Sequence, residues 1–215
     1  MNKPEKPKQV QSVGEEIANG ISHGVGFLGA LVITPILILH AIPFGAASVT
    51  GASIFGATAV LLYLASTLYH AFPESRTKRV FNILDHGAIF LLIAGTYTPF
   101  TLGVLKGAWG WSLFGIIWAL AISGVVVKSI AGAQSNKLST GLYLGMGWIA
   151  VVAAKPFWEN IPGWGLFWLL AGGLMYSAGV LFFIAKRMRY SHFIWHLFVM
   201  AGTACHTIAV MKYAN

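Results

Sequence analysis

Long apolar runs separated by short polar breaks dominate this sequence. A membrane-spanning helix needs about 20 mainly apolar residues, and seven stretches of the chain come close to that length or exceed it. We expect helices at Ile21–Ile42, Gly45–Phe72, Val80–Val104, Trp109–Ser129, Leu138–Ala154, Trp164–Ala185 and Ser191–Met211. The fifth is the shortest. The pattern therefore predicts an all-α fold, a bundle of seven transmembrane helices formed by residues 21–215, preceded by a polar tail over residues 1–20.

The composition supports membrane residence. Hydrophobic residues make up 57% of the chain and charged residues only 9%, whereas an ordinary soluble domain carries about 25% charged residues. The net charge of +8 raises the question of nucleic acid. However, the lysines and arginines lie in short clusters between the apolar runs and form no basic face on a domain. We therefore expect an integral membrane protein that contacts lipid and has no nucleic-acid partner; the oligomeric state stays open.

The basic clusters predict the orientation in the membrane. With seven spans, eleven of the fourteen basic residues lie on the side of the N-terminus and three lie on the other side. The positive-inside rule then places the N-terminus in the cytoplasm and the C-terminus outside. The eleven are Lys3, Lys6, Lys8, Arg76, Lys78, Arg79, Lys128, Lys137, Lys186, Arg187 and Arg189, and the three are Lys106, Lys155 and Lys212.

Polar residues inside the predicted spans are the candidates for function, because an ionisable group in a membrane needs a partner inside the bundle. The second helix carries Ser66 and His70 one turn apart on the same face. On the third, Asp85 and His86 begin an apolar run. The seventh carries His192 and His196, four residues apart, as two ligands of one metal ion require.

The predicted topology brings these groups to one depth. The second helix runs towards the cytoplasm and ends near His70, while the third and seventh run outwards and begin near Asp85 and His192. At 1.5 Å per residue, all of them lie within about 10 Å of the cytoplasmic boundary. Three neutral imidazoles leave a fourth position of a zinc ion open for water, an arrangement typical of catalytic sites. We therefore predict a Zn²⁺ site, although imidazoles also bind copper, nickel and iron.

Each candidate also has a structural interpretation. A lone histidine in a bundle is more often a hydrogen-bonded packing residue than a ligand. Ser66 could bond only to a backbone carbonyl one turn back. Asp85 could be a carboxylate in the first turn of its helix, favoured by the helix dipole and paired with Arg76 or Lys78.

The remaining histidines divide by depth. His40 and His206 fall near the outer side, and we leave them out of the site. His23 lies in the inner layer, where a role beside the ligands or in substrate entry and simple packing are equally open. His86 is one step from Asp85, about 100° around the helix, so the two side chains should not easily aim at one point.

Taken in order along the chain, these pieces resemble the hemolysin III family, the bacterial branch of the progestin and adipoQ receptors. The matching segments span residues 16–23, 66–70, 85–86 and 191–196. The resemblance implies seven helices with a cytoplasmic N-terminus, and zinc held by His70, His192 and His196. It also implies that Asp85 and Ser66 contact a zinc-bound water. The family is similar to alkaline ceramidases, which are zinc-dependent membrane amidases, and its bacterial members imply a multi-pass protein of the cytoplasmic membrane.

Three functions are compatible with these features. The first is an intramembrane zinc-dependent hydrolase of a lipid amide or ester that affects membrane homeostasis, with Asp85 as general base and Ser66 orienting the water or the developing oxyanion. The second is a non-enzymatic receptor or sensor in which zinc ties the second and seventh helices together. A transporter or channel is less supported, because the sequence has no ring of charge and no pair of broken helices.

Overall fold

The computed structural model describes residues 11–105, 107–131, 136–185 and 187–214. All regular structure within these ranges is helical, so the predicted all-α fold is confirmed. The helices are α1 (Val13–Ala41), α2 (Ala46–Ala71), α3 (Arg76–Leu102), α4 (Ala108–Ala131), α5 (Asn136–Trp148), α6 (Ala154–Asn160), α7 (Gly163–Ile184) and α8 (Ser191–Tyr213).

Helix α1 begins at Val13, eight residues before the predicted start at Ile21. A capping box fixes this start. Ser12 Oγ accepts a hydrogen bond from the Glu15 backbone N–H, and the Glu15 carboxylate accepts one from the Ser12 N–H at 2.8 Å. The predicted start is wrong because the prediction followed the apolar run, and the first two turns of the helix are polar. Residues 1–10 of the predicted tail lie outside the described part of the chain.

Six helices in the described residues are long and apolar enough to cross a membrane. The stretch predicted as a single fifth helix is instead broken. Helices α5 and α6 meet at an angle of 53° around a 3₁₀ turn at Ile149–Val151, and counting the bent pair as one span gives seven. The Tyr97 hydroxyl lies 3.0 Å from Met146 O, 2.8 Å from Gly147 O and 2.9 Å from Ala150 N. It thereby satisfies backbone groups that the break in the helix leaves without their usual partners.

The helices pack as a ring that closes on itself. Each of α1 to α4 packs against the next, α7 packs against α8, and α8 returns to α1. Gly26 of α1 lets that helix approach α2 closely, since a Cβ there would lie only 2.8 Å from Tyr63 Cδ1. The ring therefore brings together, around His70, the ends of α1, α2 and α8 that the charge distribution predicts to be cytoplasmic.

Two lysines used above as signals of orientation are buried inside the protein. Lys78 at the start of α3 is 5% exposed and Lys128 near the end of α4 is 0% exposed. Both therefore also act within the fold. Several other orientation signals lie outside the described part of the chain, namely Lys3, Lys6, Lys8, Lys106, Lys186 and the side chain of Lys137.

Candidate metal centre

Helices α2 and α8 bring His70, His192 and His196 together. One ring nitrogen of each lies within 4.8 Å of the others. The ring centroids of His192 and His196 are 4.6 Å apart, and each lies 5.1 Å from that of His70. The four-residue spacing places both α8 rings on one face, and this face lies against the last turn of α2. The geometry can therefore hold one metal ion.

Helix α1 fixes two of these rings through hydrogen bonds to the nitrogen that would not bind the metal. His70 Nδ1 lies 2.7 Å from Glu16 Oε2, and His196 Nδ1 lies 3.2 Å from Asn19 O and 3.1 Å from Ser22 Oγ. A carboxylate or carbonyl oxygen can only accept, so each Nδ1 carries the hydrogen and each Nε2 keeps its lone pair. Metal-binding histidines are usually oriented by such a bond from the second ring nitrogen.

Two of the ring nitrogens that would face a metal have no hydrogen-bond partner among the described residues. His70 Nε2 and His192 Nε2 are buried and make no hydrogen bond to any described residue. Buried polar atoms nearly always have a hydrogen-bond partner. Two buried nitrogens without one are what we expect of atoms that bind a cation. Three neutral imidazoles are a donor set that suits zinc.

Lys78 completes the support behind His70. Its ammonium donates to Glu16 Oε1 at 3.0 Å and to the carbonyl oxygens of Tyr69 and Phe72, both at 3.1 Å. The same ammonium lies 4.9 Å from the centroid of the Tyr69 ring. Lys78 thus caps the C-terminus of α2, where cations are favourable, and holds the carboxylate that orients His70.

Asp85 and Ser66 lie beside the histidine cluster. The Asp85 carboxylate is 6% exposed and has His86, His70, Ser66 and Lys128 as electrostatic neighbours. Ser66 Oγ is fully buried, and no described residue meets the distance and angle of a hydrogen bond to it. The alternative in which Ser66 bonds only to its own helix is therefore not observed.

The alternative for Asp85 is wrong. Helix α3 begins at Arg76, so Asp85 lies in its third turn and not in the first turn, where the helix dipole acts. Lys78, one of its expected partners, binds Glu16 instead. The buried cation among the neighbours of Asp85 is Lys128, which we expected only to contribute to the orientation in the membrane. The position of this lysine at the end of the apolar run of α4 was the one signal in the sequence for such a partner.

A cavity of about 100 Å³ adjoins the cluster. Asp85, His192 and His196 line one part of it, and Tyr97 and His206 line another. His196 and His206 are ten residues apart on α8, which corresponds to about 15 Å along the helix. Apolar residues of α2, α3, α7 and α8 line it as well, among them Leu62, Leu92, Ile93, Val180 and Val199. The cavity therefore connects the histidine cluster at one end to a largely apolar interior.

Comparison with known proteins agrees with this architecture. The family model described as "Haemolysin-III related" matches residues 11–207. The chain belongs to the haemolysin-III-related family. It is 46% identical to Hemolysin-3 of Bacillus cereus over 96% of this chain and 94% of that protein, and 43% identical to the Hemolysin-3 homolog of Bacillus subtilis over 94% and 95%. It is also 29% identical to the human Monocyte to macrophage differentiation factor over 93% of this chain and 84% of that protein. This haemolysin-III-related protein is thus a multi-pass integral membrane protein.

The other histidines of this haemolysin-III-related protein do not all fall where we expect. His23 is 3% exposed and stacks on His196, with ring centroids 3.5 Å apart and an angle of 8° between the planes. Neither of its nitrogens has a hydrogen-bond partner among the described residues, and it lines the cavity. His86 donates from Nδ1 to Asn82 O at 2.9 Å and also lines the cavity, as does the adjacent Asp85.

His206 departs most from expectation. We placed it apart from the site with His40, but it is 7% exposed and lines the same cavity. His40 is exposed and contacts Phe44, with ring centroids 5.8 Å apart. His206 lines the cavity and His40 does not, because the cavity extends far along α8. The predicted depth of a residue in the membrane does not reveal this.

Sequence reasoning also missed what Glu16, Asn19 and Ser22 do. These residues were noted only as part of a family segment, without a role. Their spacing of three places them on one face of a helix, and the Ser12 and Glu15 capping box extends α1 far enough for that face to reach His70 and His196. The spacing was visible in the sequence, but the partner across the ring was not.

Proposed function

We propose that this haemolysin-III-related protein is a zinc-dependent hydrolase of the bacterial cytoplasmic membrane that cleaves the amide or ester bond of a lipid and so affects membrane homeostasis. The observation that carries the proposal is the convergence of His70, His192 and His196 beside the buried Asp85 carboxylate, at one end of a largely apolar cavity. The two Bacillus relatives support the bacterial cytoplasmic membrane as its location.

His70, His192 and His196 would hold the metal through Nε2, with Glu16 and the Asn19 carbonyl fixing two of the rings. A zinc ion held in this way lowers the pKa of a bound water to about 7 and polarises a carbonyl group. The chain's own residues would do the rest of the chemistry. Asp85 accepts a proton from the attacking water as the new carbon–oxygen bond forms, and returns it to the nitrogen or oxygen that leaves as the old bond breaks.

Two buried groups would assist Asp85. Ser66 has a hydroxyl without a hydrogen-bond partner among the described residues, so it can donate to the water or to the oxygen on which negative charge develops. Lys128 is buried near the Asp85 carboxylate and would help to balance the charge that develops there. The products are a fatty acid and an amine or alcohol, and the atoms balance with one water consumed.

The shape of the cavity supports a lipid substrate. Most of its lining is apolar, and Asp85, His192 and His196 line one part of it. An acyl chain would lie against residues such as Leu92 and Val199, with its amide or ester at the histidine cluster. This arrangement follows the usual design of a ligand pocket, in which a few polar groups fix the orientation of an apolar ligand.

The decisive test is the Asp85→Asn variant, purified in lipid nanodiscs and loaded with zinc. We expect the release of fatty acid from an N-acyl amine or an acyl ester to fall by at least about 100-fold, since general base catalysis contributes about that much or more, while the zinc content stays the same. Glu159→Gln is the matched control, because Glu159 is an exposed acid that pairs with Lys155 at 3.8 Å. Zinc-loaded wild type that hydrolyses no such lipid faster than Asp85→Asn would contradict the proposal.

A receptor or membrane-state sensor with a structural zinc is the second candidate. It is favoured by the position of the three histidines, which come from α2 and α8, so that one ion would tie these two helices together. In that case chelation lowers the melting temperature, but Asp85→Asn keeps the biological effect in cells. Loss of the effect in Asp85→Asn at unchanged melting temperature would rule the sensor out.

A further inference from the structure

One buried histidine lies too far along α8 to serve the metal. A cation at the cluster would satisfy His70 Nε2 and His192 Nε2, but His206 Nδ1 is also buried and has no hydrogen-bond partner among the described residues. His206 is 7% exposed and lines the cavity about 15 Å along α8 from His196. Its unsatisfied nitrogen therefore calls for an explanation of its own.

The hydrogen bond at the opposite nitrogen defines the chemistry of Nδ1. His206 Nε2 lies 3.1 Å from Leu169 O, a carbonyl that can only accept. Nε2 therefore carries the hydrogen, and Nδ1 of the neutral ring is an acceptor. The ring is held in place against α7, because its edge fills the space where any side chain at Gly172 would begin. A partner for Nδ1 must supply an O–H or N–H group.

The nearby hydroxyl groups are already committed. Tyr63 donates to Thr203 Oγ1 at 2.8 Å, and Thr203 donates to Val199 O at 3.0 Å. Tyr176 lies 2.8 Å from the same Thr203 oxygen. Since the Thr203 hydrogen is used on Val199, Tyr176 must donate its own hydrogen to Thr203. Neither tyrosine then has a hydrogen left for His206, even though the Tyr176 ring lies 5.4 Å from it.

We propose that His206 forms a second polar subsite of the cavity, in which Nδ1 accepts a hydrogen bond from a hydroxyl or amide N–H group carried part-way along the chain of a bound lipid. The ligand class rests on the proposed function, which places a lipid amide or ester at the histidine cluster. The subsite adds selectivity, because a lipid with a donor at this depth binds more tightly than a plain acyl chain of the same length.

Two fatty amides test this subsite. One carries a hydroxyl group about midway along its acyl chain, and the other is the same amide without it. Binding of each is measured in nanodiscs by competition with a fluorescent lipid, in zinc-loaded and in chelator-treated protein. We expect the wild type to bind the hydroxylated amide about three- to tenfold more tightly, the effect of one hydrogen bond. His206→Phe should bind the two amides with equal affinity.

Two further variants keep the test sharp. His206→Gln retains both a donor and an acceptor and should keep part of the preference. His40→Phe changes an exposed histidine on α1 and should behave as wild type. Equal affinity of the wild type for both amides, or binding of neither, would overturn the subsite, since water would then occupy the acceptor. A preference that persists in His206→Phe would overturn it as well. A preference in a protein that hydrolyses nothing would refute the hydrolase and leave the subsite standing.

Discussion

The Glu16 carboxylate accepts a hydrogen bond from His70 Nδ1 at 2.7 Å and, through its other oxygen, binds Lys78 at 3.0 Å. The three groups come from α1, α2 and the start of α3. One acid therefore ties three helices to the orientation of a single imidazole, whose free nitrogen faces His192 and His196. The candidate metal centre depends on α1 although that helix supplies none of its three histidines.

Replacing Glu16 with Gln should weaken metal binding. The amide can still accept from His70, but it loses the negative charge that strengthens the hydrogen bond and makes the ring a better ligand. We expect zinc affinity to fall by about 10- to 100-fold, measured by competition with a chromophoric chelator. Glu74→Gln is the control, since Glu74 is an exposed acid in the loop between α2 and α3. Equal zinc affinity of Glu16→Gln and wild type would refute this role.

Replacing Lys78 with Met should destabilise the protein. The substitution leaves the Glu16 carboxylate and the carbonyl oxygens of Tyr69 and Phe72 without their shared donor. Hydrogen bonds to charged groups contribute about 1.5 to 3 kcal/mol, so we expect the free energy of unfolding to fall by about 2 kcal/mol in detergent micelles. Arg79→Met changes an exposed neighbour and should alter it by less than about 0.5 kcal/mol. The assignment is wrong if the two variants unfold alike.

Much of the fold could be predicted because apolar length is a strong signal in a bilayer. The ranges of α2, α7 and α8 lie close to the predicted ones. The prediction was wrong where a polar or tertiary contact decides the outcome. Ser12 and Glu15 start α1 in a polar stretch, and Tyr97 of α3 satisfies the backbone where α5 ends. Neither effect changes the hydropathy of the segment itself.

The site was predictable to the extent that it follows from spacing and depth. The spacing of His192 and His196 and the shared layer with His70 indicate three converging rings, and the structure brings them together. What surrounds them was not predictable, because Glu16 and Lys78 meet His70 only after the ring of helices has closed. Likewise, nothing in the sequence shows that the cavity reaches His206.

Replacing Tyr97 with Phe should weaken the break between α5 and α6. The variant removes the oxygen that accepts from the Ala150 N–H at 2.9 Å, and it also removes a donor to Met146 O or Gly147 O. An unsatisfied buried backbone group costs about 1 to 3 kcal/mol. We expect the unfolding free energy to fall by that amount and amide hydrogen exchange to rise around Ala150. Tyr190→Phe, at the exposed start of α8, is the control. Unchanged exchange at Ala150 would contradict the role of Tyr97.

Removal of the metal should destabilise the wild type but not the ligand variants. A ligand that binds only the folded state at 100 times its dissociation constant adds about 2.7 kcal/mol, so zinc should raise the melting temperature and a chelator should reverse the rise. His70→Ala and His196→Ala should lose about one zinc per chain by elemental analysis and show no zinc-dependent shift. His40→Ala keeps the three candidate ligands and should retain both properties. If the chelator lowers the melting temperature of His196→Ala as much as that of the wild type, the ion lies elsewhere and the three imidazoles are packing residues.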